Sequence, residues 1–226
     1  MRPDARPDLM ILGDSHTAAL HEAAIARGLR PKLLYLSGNF WHEGRIRWHP
    51  GTGLSAAYRP RLQAQIRAAA AATGGTVFPR GIPVIASFGY HLGRLAPLFA
   101  RHGHTPDGVD PGEGLFVSDA FLRAYLRHHR GALLRVLRLA ARACDLVVVA
   151  PPVVQPDPAA MRMAAIITET LTATGVRVFD PRLEPDWRCG PLPPALRSAD
   201  GVHGNAAYGA EVLVRLFDRG LIRKAA

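Results

Sequence analysis

Cysteine is almost missing from this chain. Among 226 residues there are two, Cys144 and Cys189. They form no Cys-x-x-Cys pair and keep no metal-ligand spacing, which excludes a disulfide-dense scaffold, a zinc ribbon and a dithiol redox centre. Cys144 stands beside the apolar run Leu146-Val147-Val148-Val149 and reads as a small buried residue, while Cys189, in a Pro-rich loop, reads as a free thiol. Long apolar runs are missing too: none approaches the roughly 20 residues that span a bilayer. The opening Met1–Asp8 has no apolar signal core, so a cytoplasmic protein with no membrane partner is expected. Lysine is as rare as cysteine. Only Lys32 and Lys224 interrupt the arginines among 28 basic residues, and 18 acidic residues leave a net charge of +10. Such a balance invites a nucleic-acid reading. The arginines are dispersed, many at helical spacing, and accompany Ala, Gly and Pro as in a GC-rich coding bias. They read as solvated helix faces, with an anionic substrate or acidic partner as the remaining use, and no nucleic-acid partner is expected. There is no internal repeat and no low-complexity linker, so residues 1–226 are taken as one domain.

What is present is an alternation of strand and helix signals. Short apolar runs predict strands at Leu9–Leu12, Lys32–Leu36, Pro83–Phe88, Asp145–Ala150 and Val176–Phe179. Helical patterns predict helices at His16–Arg27, Tyr58–Ala72, Asp119–Ala143, Asp157–Thr174 and Ala206–Arg219. Continuous apolar strands separated by helices indicate parallel strands covered on both faces. The fold class is therefore α/β, a three-layer α/β/α sandwich with about five parallel strands. Three long segments read as irregular: Phe40–Ala57, His91–Ser118 and Pro181–Ala199. Each follows the C-terminal end of a strand, the edge at which open α/β sheets bind ligands.

Two short words carry chemistry. Gly13-Asp14-Ser15-His16-Thr17 follows the first strand, and Asp200-Gly201-Val202-His203 precedes the last helix. A serine at the mouth of a strand presents its hydroxyl above the sheet edge, but a neutral hydroxyl needs a base within hydrogen-bond reach. His203 supplies that base, and Asp200, three residues earlier, can fold back to the other ring nitrogen. The competing roles are structural: Ser15 as a helix N-cap, and Asp200 with His203 as a surface loop pair. Asp14 is expected to hold the turn, and His16 to cap the helix or sit at the rim.

These blocks resemble those of the SGNH hydrolases, the GDSL esterase/lipase superfamily. Gly13-Asp14-Ser15 matches the family's nucleophile block, with His16 where many members have Leu, and Asp200 with His203 matches its closing Asp-x-x-His. The resemblance implies a flavodoxin-like sheet of the SGNH-hydrolase type. It implies an oxyanion hole built from the N–H groups of Ser15 and Gly38, the latter in Ser37-Gly38-Asn39 after the second strand. The family's third donor is an asparagine in a Gly-x-Asn block. This chain has Gly89-Tyr90-His91, so His91 stands in that place. An imidazole N–H can substitute only in the tautomer or protonation state that faces the oxyanion.

The aromatic and basic segment from Phe40 to His49 suggests contacts to a glycan, a nucleotide or a carboxylate-bearing ligand, or equally a loop packed on the domain through its two tryptophans. Asn39, Trp41, Arg45, Trp48 and Tyr90 are the candidate substrate-binding residues. His102, His104, His128 and His129 lack metal-ligand spacing, so no metal and no cofactor are expected. The function implied is a serine esterase that removes a small acyl group, such as acetyl, from an oxygen ester, with a saccharide ester as partner. Two other classes stay open. The Gly-Asp-Ser-His form of the first block is similar to that of SGNH domains accompanying sugar O-acyltransferases. The missing asparagine is what a carbohydrate-binding or scaffold protein on the same fold would show.

Overall fold

The computed structural model describes residues 6–42, 45–56, 58–96, 104–105, 115–187 and 191–223. In chain order its elements are β1 (Leu9–Gly13), α1 (Thr17–Ala26), β2 (Pro31–Tyr35), α2 (Gly38–His42), β3 (Arg47–His49), β4 (Gly53–Ser55), α3 (Pro60–Ala71), β5 (Val84–Ser87), β6 (His104–Thr105), β7 (Leu115–Phe116), α4 (Asp119–Ala143), β8 (Leu146–Val149), α5 (Pro158–Ala173), β9 (Arg177–Phe179) and α6 (Ala206–Asp218).

The main sheet has the strand order β2-β1-β5-β8-β9, and every pair in it is parallel. All five residues of β1 are buried, because helices cover both faces. Alternation along the strand sorts the side chains between two cores. Leu9 and Ile11 pack with α1 and α6, while Met10 and Leu12 pack with α3, α4 and α5. The helices start and stop on local signals. Ser118 accepts a hydrogen bond from the Phe121 N–H and caps α4. Asp157 accepts from the Ala160 N–H and caps α5, whose first residue is Pro158. Asn205 accepts from the Tyr208 N–H and caps α6.

From β1 the chain moves outward to β2, then crosses back to place β5 on the other side of β1. The connections leaving β1 and β5 therefore diverge, and a crevice opens at their C-terminal ends. The α/β/α sandwich with five parallel strands is the predicted architecture, with boundaries shifted by one or two residues. The segment Phe40–Ala57 is a correction: it holds the end of α2 and the antiparallel β3–β4 hairpin. Three-residue strands are too short to announce a period of two. The segment 181–199 holds three short 3-10 turns, each begun by a proline. Most of 91–118, with His102 in it, lies outside the described residues, as does Cys189. Cys144, expected buried, is only half-buried; it donates to the Ala140 carbonyl, and burial pushes its thiol up to about 12. Among the described residues no helix is long and apolar enough to cross a membrane.

Candidate active site

Ser15 lies in the turn between β1 and α1. Asp14 builds that turn. Its N–H donates to the Ser87 carbonyl of β5, 3.2 Å, its carbonyl accepts from the Thr17 hydroxyl, 2.5 Å, and its Oδ1 accepts from the His16 N–H, 2.9 Å. The expectation that Asp14 holds the turn matches this geometry. The helix N-cap position falls on His16, whose side chain makes no capping bond, so the capping role expected of His16 is corrected. Ser15 Oγ is engaged elsewhere: it lies 2.6 Å from His203 Nε2.

His203 stands in a closed loop before α6. The Ser198 N–H donates to the His203 carbonyl, and the Asn205 side chain donates to the carbonyls of Ala195 and Arg197. Asp200 Oδ1 accepts from the Val202 and His203 N–H groups at 2.8 and 3.0 Å, and its Oδ2 lies 2.6 Å from His203 Nδ1. The Val202 N–H, followed by the His203 ring and N–H, holds the Asp200 carboxyl well below the usual range, at about 2. Asp200 is thus ionised, Nδ1 carries the proton that faces it, and Nε2 offers its lone pair to the Ser15 hydroxyl.

His16 packs on the other side of this chain of groups, with its ring centroid 4.7 Å from that of His203. Its Nδ1 is shielded from solvent and has no hydrogen-bond partner among the described residues. Burial holds its pKa below the ordinary value, against the raising effect of Asp14, so the ring is kept neutral beside the base.

His91 follows β5 and has φ 37° and ψ 56°, left-handed backbone that is uncommon outside glycine. Its Nδ1 stands 2.8 Å from Asp14 Oδ2, a close charge contact that is not aligned as a hydrogen bond. Burial works to raise the Asp14 carboxyl, but the contact with the His91 side chain and the nearby His16 ring and N–H outweigh it, and the net direction is down. The other side of the ring faces Gly38. A Cβ on Gly38 would fall 1.6 Å from His91 Nε2, so the imidazole fills the space of any side chain there. Ser15, Gly38 and His91 are thereby brought together from the ends of β1, β2 and β5. Among the described residues the N–H groups of Ser15 and Gly38 have no other acceptor.

Ser15 and His91 line a cleft of about 510 Å³, with Gly38 packed behind the His91 ring. Asp14, Ser15, His16 and His203 form one end, Asn39 and His91–Arg94 one wall, and Pro151–Gln155 with Met161 and Ala164 another. Asn39 is in the cleft as expected, and its Oδ1 accepts from Arg94. The other four candidate binding residues are not. Trp41 is fully buried, donates its indole N–H to the Leu36 carbonyl at 2.9 Å, and stacks on Phe88 at 4.1 Å. Tyr90 is buried, and burial pushes its phenol up. Its hydroxyl bonds Thr168 Oγ1 at 2.9 Å, and that hydroxyl in turn donates to Asp180. Trp48 stacks on Phe78 in the hairpin and Arg45 lies over Tyr58, both away from the cleft lining. Trp41 and Tyr90 share one physical reason: a large apolar ring with a satisfied polar tip is more stable in a core than on a rim.

Sequence reasoning missed the cleft lining that follows β8, from Pro151 to Gln155. It also missed Arg130, which is fully buried in α4 rather than on a solvated face. Its spacing from Leu126, Leu133 and Leu137 places it on the apolar stripe, and that was the available signal. Among the described residues no cluster of three or more His, Cys, Asp or Glu could hold a metal ion.

No protein-family model and no curated protein sequence matches the chain. Solved structures do. An acetyl xylan esterase from the rumen bacterium Butyrivibrio proteoclasticus superposes with a TM-score of 0.50 at 12% identity, covering 98% of this chain and 66% of that one. A GDSL-like lipase from Bacteroides thetaiotaomicron gives 0.48 at 11% identity, covering 96% and 91%. An acetylxylan esterase from Geobacillus stearothermophilus gives 0.46 at 14% identity, covering 100% and 99%. At such identities the likeness is one of fold.

Proposed function

We propose that this chain, whose fold is that of the SGNH hydrolases, is a serine esterase that removes a small acyl group from an oxygen ester. The observation that carries the reading is the continuous chain from Asp200 through His203 to Ser15, with both side-chain contacts at 2.6 Å. His203 Nε2 takes the Ser15 proton as Oγ attacks the ester carbonyl. Asp200 holds the ring in the required tautomer and stabilises the imidazolium that forms. The oxyanion is met by the N–H groups of Ser15 and Gly38 and by His91 Nε2–H. His91 places Nε2 against Gly38, and a hydrogen carried on that nitrogen is the third donor to the oxyanion. His203 then protonates the leaving alcohol, and the same groups activate water against the acyl-serine.

The cleft supports the acyl assignment. Pro151, Pro152, Val153, Val154, Met161 and Ala164 give one apolar wall suited to a short chain. Asn39, Arg94 and Gln155 give polar contacts for the alcohol side, where a sugar is our choice. With Trp41, Trp48 and Arg45 elsewhere, the saccharide reading rests on these three and on the fold neighbours' names.

Hydrolysis of p-nitrophenyl acetate and butyrate tests the proposal, beside labelling by a serine-directed phosphonate. The parent is expected to turn over both esters and to take one label on Ser15. Ser15→Ala should lose the label and about 10⁴-fold or more in kcat. A parent that neither hydrolyses nor labels overturns the reading in favour of a binding protein. Formation of a new sugar ester with an added sugar acceptor would move it to a transferase using the same serine.

A further inference from the structure

Arg130 projects from the middle of α4 into the protein and is fully buried. A guanidinium keeps its charge, and burying a charge without a counter-charge is costly. No carboxylate among the described residues pairs with it. Its donors go to backbone instead. Nε donates to the Tyr90 carbonyl and Nη1 to the His129 carbonyl, each at 3.1 Å, and Nη2 donates to the His91 carbonyl. Nη2 also lies 3.1 Å from His42 Nδ1, which must accept because arginine can only donate. Burial pushes the guanidinium down to about 10, still protonated at neutral pH.

Two of these acceptors are consecutive carbonyls, and they flank the one non-glycine residue with a left-handed φ among the described residues. That backbone is strained for a side chain such as histidine, and strain persists only where surroundings over-determine it. Here the over-determination is visible. A planar fork spans the Tyr90 and His91 carbonyls, while the His91 ring lies against Asp14 and Gly38. Relaxing the peptide to an ordinary conformation would carry the imidazole off Gly38.

We propose that Arg130 is a positioning residue: its guanidinium clamps the left-handed backbone of His91 and so sets the oxyanion hole, without touching substrate. The proposal rests on the reading of Ser15 as nucleophile and His91 as oxyanion donor. It also explains a charge in the core that the hydrolytic steps themselves do not use.

The test is a pair of double-mutant cycles. Arg130→Lys keeps the charge but loses the fork. It is expected to lower kcat for p-nitrophenyl acetate by about 10–100-fold, bounded by the loss of a whole oxyanion donor, with little change in KM. In a His91→Ala background the same substitution should leave kcat unchanged, since residues acting through one another are non-additive. Thermal unfolding is the second cycle. Arg130→Lys should lower Tm in the parent and lower it less in a His91→Gly background, because glycine adopts φ 37° without side-chain strain. Equal Tm losses in both backgrounds overturn the clamp. So does a kcat equal to the parent's, or one that falls by the same factor without His91. If Arg130→Lys alone does not fold, the double variant with His91→Gly is expected to fold, and its failure would make Arg130 a general core residue and overturn the proposal. A parent without esterase activity or Ser15 labelling sinks the esterase reading, and the clamp is then decided by the thermal cycle alone.

Discussion

At the scale of the residue, the site sorts its ionisable groups by what surrounds them. Three backbone and ring donors hold the Asp200 carboxyl at about 2, so Asp200 stays an acceptor for His203 Nδ1–H across the working range. His91 holds its ring between the Asp14 carboxylate and Gly38. His91→Ala should therefore cost about 10²–10³ in kcat with the fold intact. His91→Asn should hold activity within about 10-fold of the parent, because asparagine both tolerates left-handed backbone and brings an N–H donor. Steady-state kinetics on both variants decides this, and equal activity of His91→Ala and parent would remove His91 from the hole. His16 makes a separate prediction. Burial holds its folded pKa below the unfolded value of 6.5, and His42 and His129 shift the same way. As pH falls through 6.5 the unfolded chain takes up protons that the folded chain refuses, so stability should fall. Tm is expected to drop between pH 7.5 and 5.5, and His16→Gln should flatten that slope. An unchanged slope would mean that His16 takes up its proton in the folded protein.

At the scale of the element, the two helices that carry the nucleophile and the base lie directly against each other. α1 starts after Ser15 and α6 starts after His203. Their contact is close enough that a Cβ on Gly209 would fall 2.0 Å from the Ala19 carbonyl oxygen. The obstacle is backbone, so it cannot swing aside. Gly209→Ala should cost about 1–3 kcal/mol of stability, as overpacking does. It should also lower kcat more than it changes KM, because spreading the helices lengthens the contact between Ser15 and His203. Urea unfolding and steady-state kinetics on one preparation test both halves. Loss of stability with full kcat would show that the site tolerates helix separation. The C-terminal end of α6 is tied down by Glu184, buried after β9, which accepts from Arg215 and Arg219.

At the scale of the whole molecule, one sheet serves two cores. Trp41 belongs to the core under α3, α4 and α5, and Trp187 to the core under α1 and α6. Each strand of β1 and β5 contributes alternate residues to both, so neither core can lose its packing alone. Single-tryptophan variants should therefore report one transition. With Trp48→Phe common to both, Trp41→Phe and Trp187→Phe proteins are each expected to show urea midpoints that coincide between fluorescence and circular dichroism. Separate midpoints within one variant would mean that the layers unfold independently. The net charge of +10 is spread over helix faces, with pairs such as Arg123–Glu169 and Arg162–Asp119 linking α4 and α5. Exposed pairs of that kind contribute little to stability.

What the sequence by itself determined is local. Apolar runs and helical spacing announce the strands and helices, and parallel, doubly covered strands follow from them. Ser15 is legible because it follows a strand, and Asp200 with His203 because an Asp-x-x-His spacing lets the carboxylate fold back onto backbone N–H groups two and three residues on. What only the tertiary structure decided is which side of each connection faces the cleft. Trp41 turns into the core because Phe88 waits there on the far side of β1, and Tyr90 because Thr168 of α5 can take its hydroxyl. Arg130 reaches carbonyls about forty positions away, and Ser15 meets His203 across 188. Periodicity and spacing encode the conformation of a short segment. Burial, strain and hydrogen-bond satisfaction depend on groups that meet only when the sheet has closed, so those assignments belong to the fold.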